Sequence, residues 1–213
     1  MCGRMAVTLP HDAMVRLFQA APDNDLPDCP NYNVCPTNQI HVVVPGRRLT
    51  SMRWGFIPQW YKAPNDGPLL INARSETIAQ KPAFREACRA RRCLIPANGF
   101  YEWTKTPDGA RLPWYIHGDA PLVLAGIWQS WGDDMTTCAL VTCKANPTMA
   151  ALHGRMPVVL SPDDWGTWLG ETDGKAAPLM KAAPEDALKF YRVDTAVNSN
   201  RAAGPELMTP IED

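Results

Sequence analysis

The sequence predicts an α+β fold: a largely antiparallel, curved or barrel-like β-sheet with a few short flanking helices. Segments of strand and helix pattern do not alternate in the βαβ order that a parallel sheet requires. Twenty-one prolines leave little room for long helices. Two turn sequences, Pro107-Asp108-Gly109 and Gly132-Asp133-Asp134, each separate a pair of strand-like runs, which is hairpin chemistry.

In chain order, His11–Ala21 reads as a helix, because Met14, Leu17 and Phe18 share one face. Ile40–Val44 and Arg92–Ile95 read as strands. Between them, Pro82–Arg89 reads as a short helix with proline in its first turn. Gly99–Thr104 and Trp114–His117 form the first expected hairpin, Leu122–Trp128 and Thr136–Thr142 the second. Pro162–Leu169 reads as a third helix, with Ser161 as N-cap and Asp163 and Asp164 in the first turn.

The 213 residues suit one domain spanning 1–213, ending in an acidic tail from about residue 205. Hydrophobic residues make up 46% and charged residues 20%, a globular composition. Apolar runs such as Pro121–Trp128 fall short of the ~20 residues a spanning helix needs, so no membrane partner is expected. The start lacks a basic segment followed by an apolar one, so a cytoplasmic protein is expected, nucleoid-associated if the source is bacterial. A formal net charge of −1 excludes a uniformly basic coat for nucleic acid but leaves room for a local basic face. Lys81, Arg85, Arg89, Arg91 and Arg92, against Glu86 alone, form a basic stretch, and the helix face around Arg85, Arg89 and Arg92 reads equally as a solvated face and as a seat for duplex phosphates.

Seven cysteines without a C-x-x-C pattern read as reduced thiols, most of them small buried residues. The spacings Cys88/Cys93 and Cys138/Cys143 fit zinc poorly, so neither metal nor cofactor is expected. Eight tryptophans are more telling, since each must pack or stack on something.

Cys2 carries the most distinctive chemistry. A residue this small permits removal of Met1, which would leave an α-amine and a thiol on adjacent carbons. An α-amine has a pKa of ~7.7–8.0 against ~10.4 for lysine, so far more of it is neutral and nucleophilic at pH 7. The thiol, at ~8.5, is a second nucleophile. The pair suits N-terminal-nucleophile hydrolysis of an amide. It also suits capture of an aldehyde as an imine that the thiol closes into a five-membered thiazolidine. A cysteine at position 2 alone decides neither.

Six further blocks accompany Met1-Cys2-Gly3-Arg4. They are Asn31-Tyr32-Asn33-Val34-Cys35-Pro36-Thr37, Arg53-Trp54-Gly55-Phe56-Ile57-Pro58, Ile71-Asn72-Ala73-Arg74-Ser75-Glu76-Thr77, Arg92 through Trp103, His153-Gly154-Arg155-Met156-Pro157 and Thr195-Ala196-Val197-Asn198. In this order, from residue 2 to about 208, the set resembles the SRAP family of SOS-response-associated peptidase-like proteins. The resemblance implies a protein that recognises abasic sites in single-stranded DNA, including single-strand/duplex junctions, and crosslinks to them through Cys2. It also implies removal of Met1, whether by the chain itself or by an aminopeptidase, and a monomer is expected.

Carried across, Cys2 is the nucleophile and Asn72 the residue that orients it. Glu102 takes the proton of the α-amine or relays protons as the sugar ring opens, and His153 is the second acid/base. Read without the family, Asn72 could cap a turn, Glu102 could be the solvent-facing alternate of a strand, and His153 could be structural. Arg4, Arg74 and Arg155 would bind phosphates. Trp60 and Trp103 would stack on bases. Asn33, with Pro36 as a wedge that props bases apart, and Thr142 as a backbone contact, complete the implied DNA surface. Little sequence readout is expected from such contacts. A thiol peptidase or amidohydrolase built on the same four residues is the alternative. A non-covalent reader of modified bases in duplex DNA is a third reading.

Overall fold

A computed structural model describes residues 2–23 and 25–211. Eleven strands form one sheet: β1 Met5–Val7, β2 Ala21–Pro22, β3 Asn31–Val34, β4 Gln39–Val44, β5 Arg48–Trp54, β6 Asn72–Arg74, β7 Arg92–Lys105, β8 Arg111–Trp131, β9 Met135–Lys144, β10 Arg155–Pro157 and β11 Lys189–Arg192. Five of them close on themselves in the order β4-β5-β9-β8-β7, with β4 returning to β7 at Val43↔Leu94. The expected α+β class with a barrel-like sheet is therefore correct. The pairings are mostly antiparallel, but β2–β5, β5–β9 and β6–β9 are parallel.

Both expected hairpins form, β7–β8 and β8–β9. The strands are longer than their sequence pattern indicates. Arg92–Ile95 and Gly99–Thr104 are one strand, β7, whose register slips between Ala97 and Gly99. Trp114–His117 and Leu122–Trp128 likewise merge into the 21-residue β8. The irregularity in β7 lets one strand serve two sheet regions, first the barrel wall and then an arm that also receives β1 and, through β8, β11.

Gly99 sits at this bend. A β-carbon there would lie 2.4 Å from Tyr115 Cζ and 2.5 Å from the Ile116 carbonyl oxygen. Because the second neighbour is backbone, Gly99→Ala is expected to destabilise the protein by about 1–3 kcal/mol, as overpacked cores do. A denaturant midpoint equal to that of the wild type would refute it.

The helices are shorter than the sequence suggests. The first, α1, is His11–Phe18, not His11–Ala21, because Gln19 turns left-handed (φ 50°) and Ala21 pairs with β5. The second, α2, is Arg85–Ala90 and starts after a turn over Pro82–Phe84. A short α3 occupies Pro147–Ala150. The expected Pro162–Leu169 helix divides into a 3-10 turn, Pro162–Asp164, and α4, Trp165–Leu169. Ser161 does not cap by accepting a backbone N–H; its hydroxyl donates to Asp164 Oδ2 instead.

The main core consists of aliphatic side chains with Trp54, Trp168, Phe18 and Phe56, all fully buried. The indole N–H groups of Trp54 and Trp168 donate to the carbonyls of Ile71 and Cys93, so neither is left unpaired in the core. Arg92 lies over Trp168 and donates to the carbonyls of Trp168, Cys88 and Arg89. It is thus a structural arginine and not part of an open basic face. A second, smaller core joins Ala6, Tyr101 and Tyr115 to Val193, Val197 and Leu207. It docks the C-terminal segment on the β7–β8 arm at roughly 1.5–3 kcal/mol per fully buried aliphatic side chain. The acidic tail expected from about 205 is docked through the buried Leu207, and the Ile211 N–H donates to the Arg192 carbonyl. Residues 212 and 213 lie outside the described residues. All seven cysteines are free thiols, and four of them, Cys2, Cys93, Cys138 and Cys143, are buried. Among the described residues no helix is long and apolar enough to cross a membrane.

Candidate functional site

The amino-terminal residues run beside β7. Met5 pairs with Phe100, and the Tyr101 N–H donates to the Arg4 carbonyl at 2.9 Å, which brings Cys2–Arg4 alongside Tyr101–Trp103. Cys2 is 1% exposed. Its carbonyl accepts from Asn72 Nδ2 at 2.8 Å. Asn72 is the first residue of β6, which pairs with the far end of β9 where that strand leaves the barrel. Asn72 Oδ1 is buried and has no hydrogen-bond partner among the described residues.

Glu102 is 3% exposed, so it is not the solvent-facing alternate of its strand. Burial pushes the Cys2 thiol well above its ordinary pKa, and the nearby Glu102 carboxylate pushes it further. Glu102 and His153 line one cleft of about 470 Å³ with Gly3, Arg4, Trp103, Lys105 and Arg111. His153 follows α3, which Asn146 caps by accepting the Met149 N–H at 2.8 Å. Asn146 is itself pinned by Nδ2 bonds to the carbonyls of Ala183 and Pro184. His153 Nδ1 lies 3.0 Å from the Arg155 N–H and 3.2 Å from the Arg155 carbonyl, so either tautomer of the ring finds a backbone partner.

Asn72 and Arg74 line a second cleft, about 540 Å³, with Trp60, Lys81 and Phe84 among its walls. Trp60 is 58% exposed, with its ring edge-on to Tyr61. Cys2 is thus bonded to a residue of one cleft, Asn72, and adjoins the other through Gly3 and Glu102.

The implied DNA contacts fall into two groups. Arg74 and Trp60 are exposed. The remaining polar groups are largely engaged inside the protein. Arg4 Nη1 donates to Asn33 Oδ1 and to the Val197 carbonyl. Asn33, 7% exposed, gives its Nδ2 to the carbonyls of Ser199 and Ala202. Arg155 forms a bidentate pair with Glu76 and also donates to Thr142, which is 1% exposed. Pro36 follows β3 and precedes the left-handed Thr37. Trp103 donates to Asn198 Oδ1, and the guanidiniums of Arg4 and Arg111 lie over its ring at 5.7 and 5.0 Å.

Sequence reading gave no role to Arg111, Lys105 or Asn198. Arg111 was legible in principle: a hairpin on Pro107-Asp108-Gly109 sets Arg111 opposite Lys105, two residues from Trp103. Among the described residues no group of three or more His, Cys, Asp or Glu side chains is placed to hold a metal ion.

Comparison with known proteins now adds the lineage. The family model described as SOS response associated peptidase (SRAP) matches residues 1–200. The chain belongs to the SRAP family. The "Abasic site processing protein YoqW" of Bacillus subtilis (strain 168) is 34% identical, over 98% of this chain and 99% of that protein. The "Abasic site processing protein HMCES" of Pongo abelii is 28% identical, over 100% of this chain and 77% of its own length. Among solved structures, a Bacteroides thetaiotaomicron protein superposes with a TM-score of 0.86 at 21% identity, covering 99% of this chain and 100% of that one. A phage-related protein of Bordetella bronchiseptica gives 0.73 at 29% identity, covering 90% and 94%.

Proposed function

We propose that this chain recognises abasic sites in single-stranded DNA and captures them covalently through Cys2. The observation that supports this most is the setting of Cys2. It is buried, held by Asn72, which lines a cleft with the exposed Trp60, Arg74 and Lys81, and close to Glu102, which lines a second cleft with the exposed Lys105 and Arg111. The names of the SRAP relatives supply the lesion. An abasic sugar opens to an aldehyde, and an amine and a thiol on one residue are the two nucleophiles that lock an aldehyde into a ring.

The steps balance as follows. The α-amine of Cys2 adds to the aldehyde carbon, and water leaves to give an imine. The thiol sulfur then adds to that carbon, the C=N π-electrons go to nitrogen, and the thiol proton ends on nitrogen by way of a base. Glu102 serves as that base and His153 protonates the departing hydroxyl. Asn72 Oδ1 is the buried acceptor left for the α-amine. The α-amine becomes available only when Met1 is removed; Met1 itself lies outside the described residues.

The peptidase alternative has less support. A thiol hydrolase works through a thiolate. Here burial and Glu102 both raise the thiol pKa. Imine formation needs no thiolate, so the same environment suits amine-first chemistry. The exposed Trp60, Arg74 and Arg111 are also surplus to amide hydrolysis but useful to a DNA strand.

The test mixes the mature protein with single-stranded DNA carrying one abasic site and resolves the product on a denaturing gel. A shifted band that survives heating, from protein whose intact mass begins at Cys2, is the expected result. No adduct, or an equal yield from protein that retains Met1, overturns the reading.

A further inference from the structure

We propose that Lys105 and Arg111, at the turn end of the β7–β8 hairpin, form a phosphate-binding site for the DNA strand on one side of the captured nucleotide. The proposal rests on the single-stranded-DNA reading above and adds a site to it.

Availability is the first argument. Arg4 Nη1 and the Arg155 guanidinium are already bonded inside the protein. Among the described residues the side chains of Lys105 and Arg111 have no hydrogen bond or ion pair, and both are exposed. They line the same cleft as Glu102 and His153.

Electrostatics is the second. Lys105 and Arg111 are direct cross-strand partners. Opposed like charges at such positions destabilise a sheet. Among the described residues neither cation forms an ion pair with an acid: the hairpin's Asp108 accepts from Thr106, and Glu102 is buried. A phosphodiester bridging the two cations would remove that repulsion, so the pair is poised for an anion.

Positioning is the third. Arg111 lies 5.0 Å above the Trp103 ring, an arrangement that holds a guanidinium in place without using its donors on oxygen. Asn198 ties both strands of the arm together, accepting from Trp103 Nε1 at 2.6 Å and donating to the Arg111 carbonyl at 3.4 Å. This gives the Thr195-Ala196-Val197-Asn198 block a purpose: it fixes the arm that carries the cations. Arg74 and Lys81 line the cleft on the Asn72 side. A strand could thus be held by phosphates on both sides of Cys2.

The experiment measures reversible binding of single-stranded DNA bearing a tetrahydrofuran abasic analogue, which has no aldehyde, as a function of salt. Lys105→Gln and Arg111→Gln are each expected to reduce the log–log salt slope by about 0.7, and the double variant by about 1.4. Arg111→Lys should restore the wild-type slope. On oligonucleotides truncated to one side of the lesion, the difference between wild type and double variant should persist for one side only. A double variant with the wild-type slope overturns the phosphate site, as does a loss of affinity with no change in slope, which would signal packing alone. If the wild type neither binds the analogue nor crosslinks the aldehyde-bearing strand, the underlying function is wrong and this site falls with it.

Discussion

Replacing Cys2 by serine is expected to abolish the heat-stable crosslink while leaving imine formation intact. Serine is also small enough to permit loss of Met1, so the variant keeps its α-amine. That amine can still condense with the abasic aldehyde and expel water. Ring closure is what fails, because a hydroxyl is a poorer nucleophile than sulfur and the oxygen ring is less stable. On the proposed mechanism the closing step in the wild type is intramolecular, with an effective thiol concentration of ~10⁵ M or more for a well-oriented pair. The 2.8 Å bond from Asn72 Nδ2 to the Cys2 carbonyl is the contact proposed to supply part of that orientation. On a denaturing gel the wild-type band should persist without reductant. The serine variant should give a band only when borohydride traps the imine, accompanied by strand cleavage that ring closure otherwise suppresses. A reductant-independent, heat-stable adduct from Cys2→Ser would remove the thiol from the mechanism.

The fold was legible where local chemistry decides it. Turn residues at 107–109 and 132–134 placed both hairpins, and the strand run Ile40–Val44 lies within β4. Helix ends were less so. Gln19 adopts a left-handed conformation without being glycine or asparagine, and nothing in its side chain announces that. The joining of two short strand patterns into β7 was hidden for a different reason. Alternation is lost at the irregularity beside Gly99, so one bent strand reads as two.

Within the candidate site, the blocks around Cys2, Asn72, Glu102 and His153 could be recognised, but their surroundings could not. Glu102 sits between two aromatic residues in a strand, where alternation alone would turn it toward water. The amino-terminal residues lie against β7 and bury it instead. Arg4 reads as a phosphate ligand, yet its Nη1 is bonded to Asn33 and Val197, 29 and 193 residues away. Sequence shows that an arginine is near the nucleophile; only tertiary packing shows whether its donors are already taken. The same packing makes the C-terminal block part of the site, because Asn198 reaches Trp103 from 95 residues further along the chain.

Glu102→Gln and His153→Ala are each expected to slow capture by ~10²–10⁴-fold, the usual worth of a positioned acid or base, while reversible binding to the tetrahydrofuran analogue survives. The Glu102 variant allows a sharper check, because two readouts should move in opposite directions. The carboxylate raises the Cys2 thiol pKa, second only to burial. Removing its charge should lower that pKa and increase thiol alkylation by a small reagent at fixed pH. A mechanism in which the thiolate attacks first would then run faster in Glu102→Gln. In the amine-first mechanism it runs slower, because the proton on the nitrogen and on the thiol has lost its acceptor. Single-turnover capture and alkylation rates on the same preparation separate the two. Slower capture with faster alkylation supports Glu102 as the proton acceptor. Faster capture would make its role purely electrostatic and return the peptidase-like thiolate to first place. His153→Ala should slow capture without moving the alkylation profile, since burial and Glu102 are the groups that raise the thiol pKa. Wild-type capture rates for both variants across pH 5–9 would withdraw the acid–base assignment altogether.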